Sequence, residues 1–350
     1  MSAPGLAQRL LAWYRRHGRK ELPWKQANDP YQIWVSEIML QQTQVATVVP
    51  YFERFTTRFP HIRDLARADI DQVLHLWTGL GYYARARNLH KAANLIMDRH
   101  GGRFPRNFEV VRALPGIGPS TAAAIVAFAF AQRAVVLDGN VKRVLARYHA
   151  INGWPGRREV ERQLWALAEE HTPRSRVREY TQAIMDLGAT VCRRANPDCA
   201  HCPLSDTCAA QACGDPLAYP GAAPRRHRPV RVVAMLMIRD GRGRVLLQRR
   251  PPAGVWGGLW GFPECAVDEA PAWCRDALGL RVELDCPWPP RRHTFSHFHL
   301  DITPITGRVV GASDKLMEPA GASWYNLDRP DARGFAAPIK RLLEQLKEKS

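Results

Sequence analysis

Four cysteines in one short polar loop constrain this chain more than any other feature. Cys192, Cys199, Cys202 and Cys208 follow the pattern C-x6-C-x2-C-x5-C within CRRANPDCAHCPLSDTC. Soft thiolates at this spacing suit an iron-sulfur cluster or a tetrahedral zinc. Structural zinc commonly takes two C-x2-C knuckles; here there is one, and the other intervals are longer, which favours a [4Fe-4S] cubane held by a single compact loop. The other cysteines, at 213, 265, 274 and 286, are scattered and read as ordinary thiols. No run of about eighteen apolar residues occurs, and the opening segment lacks the apolar stretch of a secretory leader. A cytoplasmic protein without membrane contact is expected, in a compartment where disulfides are rare.

From Leu6 to about Thr207 apolar residues recur at helical spacing, as in Ala68 to His75, Tyr83 to Arg99 and Glu159 to Glu170, so residues 1–208 read as an all-α domain with the cysteine loop at 192–208. Residues 209–230, rich in Ala, Pro, Gly and Arg, have no usable periodicity and read as a linker. Residues 231–350 then open with two strand-like runs around a turn at Asp240 to Arg242, continue with strand-like HTFSHFHLDITPITGRVV, and end in a helical segment. That is an α+β domain, and the chain is multidomain. Its net charge of +17 is concentrated early: residues 1–230 carry 32 Lys and Arg against 19 Asp and Glu. An excess of this size draws a polyanion such as a nucleic acid.

Residues 106–131 read as helix, Leu-Pro-Gly-Ile-Gly turn, helix. Gly116 and Gly118 permit positive φ and close backbone approach, and the free amides where Pro119 and Ser120 open the second helix can face a phosphate without reading sequence. The segment from Gly79 to Lys91 adds Tyr82, Tyr83, Arg85 and Arg87, aromatics and cations of the kind that enter a base stack.

Two carboxylates stand apart from the rest. Asn28 or Asp29 caps a mostly apolar helix predicted to run on through 31–49, in which Glu37, Gln41 and Gln44 share a face. A desolvated carboxyl there holds its proton and suits a general acid. Asp138 follows an apolar run and precedes GNVKRVLARYHA, at or just before a helix N-terminus, where amides and the helix dipole favour the ionised form. Taken alone it reads as a capping residue before it reads as a catalyst. Such a pair, with its pKa values pushed apart, divides proton donation from cation stabilisation in glycosidic chemistry.

With hairpin, Asp138 and cysteine loop in this order, residues 1–208 resemble the helix-hairpin-helix DNA glycosylases that carry an iron-sulfur loop. In their endonuclease III branch the second hairpin helix opens with a lysine that attacks the sugar and leads to strand cutting; the matching residue here is Ser120. SEIMLQQTQV and GLGYYARARNLHKAA are similar instead to the adenine-removing MutY branch. That resemblance implies that Glu37 protonates adenine, Asp138 stabilises the oxocarbenium ion, and Asn140 positions sugar or water. It also implies that Gln41, Gln42, Thr43, Leu80 and Tyr82 meet the DNA around the base opposite, and that Trp24, Lys25 and Gln182 wall the adenine pocket.

LLQRRPPAGVWGGLWGFPE resembles the start of a Nudix domain, and Gly258 to Glu264 matches the opening of the Nudix box. The run of glutamates that binds magnesium does not follow, so pyrophosphate hydrolysis is not expected. By resemblance this domain reads 8-oxoguanine, with Ser296 and His297 in the reading loop. The implied partner is double-stranded DNA with adenine opposite 8-oxoguanine or guanine, and the implied state is a monomer. A glycosylase-lyase for oxidised pyrimidines and a non-catalytic reader of damaged DNA are the competing readings.

Overall fold

The computed structural model describes residues 5–26, 29–224, 227–312 and 321–348. Contacts divide the chain into two compact units, and the division is not collinear: Met1–Arg67 with Asn88–Pro224, and Ala68–Arg87 with Arg225–Ser350.

The first unit is built from helices α1 (Leu6–His17), α2 (Pro23–Gln26), α3 (Pro30–Leu40), α4 (Val45–Arg58) and α5 (Ile62–Arg67). Helices α6 (Ile70–Leu76) and the start of α7 (Ala84–His100) fall in the other unit. The chain then returns through α8 (Phe108–Arg112), α9 (Pro119–Phe130), α10 (Gly139–Tyr148), α11 (Arg158–His171), α12 (Val177–Thr190) and the short α13 (Ala209–Ala212). One core joins α1, α10, α11 and α12 through Leu10, Leu145, Leu164 and Leu187, all fully buried. Truncating one such leucine to Ala costs about 2–5 kcal/mol.

Helix α3 is buried on nearly every face, from Tyr31 and Ile33 to Met39. Two features make this possible. Asp29, with Pro30 behind it, caps the helix by accepting the Tyr31 N–H at 3.0 Å. On the other side α9, whose buried Ala122 to Ala127 stretch is rich in small side chains, packs against α3. The second cap candidate, Asn28, lies outside the described residues.

The second unit holds a mixed sheet of β1 (Val230–Arg239), β2 (Val245–Arg249), β3 (Trp260–Gly261), β4 (Glu264–Cys265), β5 (Leu280–Leu284), β6 (Arg291–Thr294), β7 (His299–Ala312) and β8 (Ala322–Tyr325). Its main order is β3-β2-β1-β7-β5, with β4 beside β1, β6 beside β7 and β8 beside β2. The opening hairpin forms as the sequence predicts: β1 and β2 pair antiparallel around Asp240, whose side chain accepts the Arg242 and Arg244 N–H groups. Strands β1 and β7 run parallel from Val230 opposite His299 to Arg239 opposite Arg308. Helix α14 (Ala270–Leu278) packs on β5, and α15 (Ala337–Glu348) ends the described chain.

Residues 68–87 are tied into this unit by specific bonds. The Tyr83 hydroxyl donates to the Phe335 carbonyl at 2.8 Å, Asp71 accepts from the Trp260 indole at 3.2 Å, and Arg87 donates to the Gly257 carbonyl. A Cβ added at Gly334 would lie 2.4 Å from Leu74, so the strand-side backbone can approach α6 only as glycine.

Candidate active site

Glu37 is 9% exposed on α3. Burial, then the nearby Asp138 carboxylate, push its pKa up to about 8, against a smaller opposing pull from Lys25. It is therefore neutral at pH 7.

Asp138 is the N-cap of α10 and accepts the Val141 N–H at 2.8 Å and the Asn140 side-chain N–H at 3.2 Å. These bonds and the Arg143 guanidinium favour the carboxylate, but burial is the larger effect and its pKa is raised. The helix terminus does not lower it as the sequence predicts: the cap forms, yet desolvation outweighs it. The two acids still differ: hydrogen bonds from Val141 and Asn140 oppose the effect of burial at Asp138, whereas at Glu37 the opposing pull comes from Lys25.

Both acids line one cavity of about 820 Å³, together with Asn140, Ser120, Trp24 and Gln182. A second cavity of about 250 Å³ shares Glu37, Trp24 and Gln182 and is lined further by Lys25, Tyr14 and Phe128. Trp24 is buried edge-on against Phe52. Lys25 donates to the Arg19 carbonyl, with its ammonium 5.9 Å from the Tyr14 ring centre.

Helix α3 stops at Leu40, earlier than the apolar pattern suggests. Gln42 takes a left-handed φ of 59°, and Gln44 becomes the N-cap of α4, so Gln44 does not share a helical face with Glu37. The break has a consequence: Gln41, Gln42, Thr43 and Gln44 form a turn on the rim of the 820 Å³ cavity. Gln41 donates from its amide to the Gly116 carbonyl at 3.3 Å and to the Thr121 hydroxyl at 3.2 Å, joining this turn to the hairpin.

In the hairpin, Gly116 has φ 80° and needs glycine, but Gly118 has φ −89° and ψ 173°, ordinary extended backbone. Positive φ is thus required at one glycine only. At Gly118 an added Cβ would meet nothing within 4 Å, so its absence leaves the α9 N-terminus open to approach. Ser120 accepts the Leu137 N–H at 3.1 Å.

Leu80 and Tyr82 lie in the other unit. Leu80 is buried, and Tyr82, with φ 50°, is 57% exposed. The cations near them are differently used: Arg85 is buried and donates to the Leu80 and Gly81 carbonyls, while Arg87 is held by Gly257. Also in that unit, Ser296 and His297 are exposed at the tip of the loop between β6 and β7, closed by the Phe295 N–H to the Phe298 carbonyl at 2.9 Å. The predicted strand is interrupted there. Phe295 stacks on Phe298 at 4.5 Å and packs near Trp256 and His293, an aromatic cluster beside the two polar tips. Glu264 is paired with Arg250.

Cys192, Cys199, Cys202 and Cys208 line one small, largely apolar cavity of about 30 Å³ with Val144, Arg147 and Leu204. Among the described residues, no three His, Cys, Asp or Glu side chains are close enough to hold a single metal ion. Arg147 reaches the Cys192 sulfur at 3.3 Å and the Arg193 carbonyl at 2.7 Å. Arg143 bonds the Cys192 carbonyl at 2.8 Å and the Asn140 side chain at 2.8 Å, so α10 spans the distance between the cysteine loop and Asp138.

Sequence reasoning passed over Arg19, Arg143 and Asp186. Asp186 carried no distinct signal, since the helix face it shares with Gln182 also holds the polar Arg178 and Thr190. Nothing in the sequence pairs Arg19 with it.

Residues 35–170 match the family described as HhH-GPD superfamily base excision DNA repair protein, and residues 234–345 match the NUDIX domain. Over 98% of its length the chain is 36% identical to the adenine DNA glycosylase of Buchnera aphidicola from Acyrthosiphon pisum, covering 97% of that protein. The chain belongs to the adenine DNA glycosylase family. The mouse adenine DNA glycosylase is 34% identical over 97% of this chain and 77% of its own. A thermostable thymine-DNA glycosylase superposes with a TM-score of 0.53 at 28% identity, covering 59% of this chain and 94% of that one. An endonuclease III in a DNA complex shares the same fold, with a TM-score of 0.51 at 21% identity over 59% of this chain and 94% of its own. A helix-hairpin-helix glycosylase fold followed by a Nudix-like α+β domain is therefore the architecture of this adenine DNA glycosylase family member.

Proposed function

We propose that the protein removes adenine from double-stranded DNA where it lies opposite 8-oxoguanine or guanine, and leaves the strand uncut. The observation that carries this reading is the convergence of a neutral Glu37 and a hydrogen-bonded Asp138 on one cavity. An extruded deoxyadenosine enters that cavity, at the cost of unstacking. Glu37 gives its proton to N7 of the adenine, the glycosidic bond breaks, and the electron pair leaves with the base. Asp138 stabilises the oxocarbenium ion, Asn140 steadies Asp138, and the Glu37 carboxylate then takes a proton from the attacking water.

Ser120 offers no amine at the position where a lyase carries its lysine, which supports hydrolysis without strand cutting. Trp24, Lys25 and Gln182 serve as walls for the base. Gln41, Gln42, Thr43, Leu80 and Tyr82 serve the strand and the base opposite, and Gly116 and Gly118 approach its phosphates. Ser296 and His297 read the oxidised guanine.

Cys192, Cys199, Cys202 and Cys208 would hold a [4Fe-4S] cluster. All four line one cavity, and a single loop with one C-x2-C pair suits a cubane better than the paired knuckles of a structural zinc. Burial pushes Cys202 up to about 11 and the neighbouring thiolates add to it, a cost that a cationic metal centre reverses. When bound, the cluster pins this loop. Functionally, residues 1–208 act as the catalytic domain, 209–230 as a linker and 231–350 as the reader, in a monomer working on cytoplasmic DNA. No helix among the described residues is long and apolar enough to cross a membrane.

The test is a duplex carrying adenine opposite 8-oxoguanine. The strand should stay intact until alkali is added and then break at the former adenine; prompt cleavage trapped by borohydride would contradict the reading.

A further inference from the structure

Asp186 of α12 is fully buried and lines neither cavity, yet three residues that do are bonded to it. Its Oδ1 accepts from Arg19 Nε at 2.9 Å, from Arg19 Nη2 at 2.6 Å and from Gln182 Nε2 at 2.9 Å. Its Oδ2 accepts the Arg19 backbone N–H at 3.1 Å and lies 3.9 Å from Lys25 Nζ. A carboxylate with donors on every side only accepts, so the amide of Gln182 has one allowed orientation: nitrogen toward Asp186, carbonyl oxygen away from it.

We propose that Asp186 sets the base specificity of the reaction by fixing Gln182 so that its Oε1 meets the extruded base as an acceptor. Gln182 lines both cavities beside Glu37, so this oxygen is available to a base seated there. A purine with an exocyclic amino group donates to it. A purine with a carbonyl at that position sets oxygen against oxygen and leaves two acceptors unpaired, the kind of mismatch by which a polar site rejects an analogue. Asp186 is a positioning residue, since it acts through Gln182. The inference rests on the assignment of the Glu37 cavity to the extruded base.

The experiment compares single-turnover excision of adenine and of hypoxanthine, each opposite the same base, in the wild type, Asp186→Asn, Gln182→Leu and the double variant. Asparagine can turn a donor toward Gln182 and release its amide to flip. The adenine-to-hypoxanthine ratio should fall at least about tenfold in each single variant, one hydrogen bond's worth. It should fall no further in the double variant, because both act through one contact. Each ratio comes from one preparation, so loss of folded protein cancels. An unchanged ratio in Asp186→Asn or in Gln182→Leu, or additive falls in the double variant, would overturn the proposal, and Asp186→Ser carries the same prediction if Asp186→Asn does not fold. Glu37→Gln run alongside separates the two levels: wild-type rates there would unseat the cavity assignment itself, whereas loss of activity there with an unmoved Asp186→Asn ratio removes only the role of Asp186.

Discussion

Ser120 Oγ accepts the backbone N–H of Leu137 at 3.1 Å, and so fastens the first turn of α9 to the residue that precedes Asp138. The serine thus links the hairpin to the segment that carries Asp138. Ser120→Ala leaves the Leu137 N–H without this partner, which costs roughly 1–3 kcal/mol in denaturant unfolding. Asp138 loses part of its support, and single-turnover excision should fall by about tenfold, equivalent to about 1.4 kcal/mol of barrier. An unaltered rate would show that Asp138 is placed by its own helix alone.

Glu37 must be protonated to act as the acid, and its pKa of about 8 keeps it so through neutral pH. Excision under single-turnover conditions should hold near pH 7 and decline tenfold per pH unit above about 8. Asp138 must be ionised, and its raised pKa places the acid limb above the range of a free aspartate. Rates followed from pH 5 to pH 10 on one duplex check both limbs; a flat profile through pH 9 would exclude Glu37 as proton donor.

A raised carboxyl pKa also bears on stability. Between the unfolded value near 4.5 and the folded value near 8 the native state holds a proton that the unfolded chain has released. Stability from this group is complete below pH 4.5 and is lost as pH rises to about 8. Glu37→Gln removes the titration, so the variant should gain on the wild type over that window, by at most about 5 kcal/mol. Melting temperatures at pH 5 and pH 8 test it: the difference between variant and wild type should grow with pH.

Ser296 and His297 are exposed beside the stacked Phe295 and Phe298 rings. Replacing both with Ala should leave excision opposite guanine nearly unchanged and slow excision opposite 8-oxoguanine, narrowing the preference by about tenfold for a lost hydrogen bond. Equal discrimination in the variant would place the reading elsewhere.

The apolar periodicity of 159–170 and the β1 to β2 hairpin were legible because local pattern decides them. The burial of Glu37 was legible too, as a lone acid in an apolar helix. The end of that helix at Leu40 was not: apolar spacing continues through Val45, and tertiary bonds such as Gln41 to Gly116 stabilise the turn instead. The direction at Asp138 was misread for a related reason, since a cap can be seen in sequence but the depth at which it is buried cannot. Grouping of 68–87 with the C-terminal unit depends on single long-range bonds such as Tyr83 to Phe335, which leave no periodic trace.

The account turns on proton donation by Glu37 into the cavity it shares with Asp138. Single-turnover excision of adenine opposite 8-oxoguanine by Glu37→Gln at pH 7 tests it most directly, with duplex affinity measured on the same protein. The predicted result is a rate lowered at least about a hundredfold, the lower bound for acid-base catalysis, with affinity nearly unchanged. A variant that still excises adenine within a few-fold of the wild-type rate would contradict it.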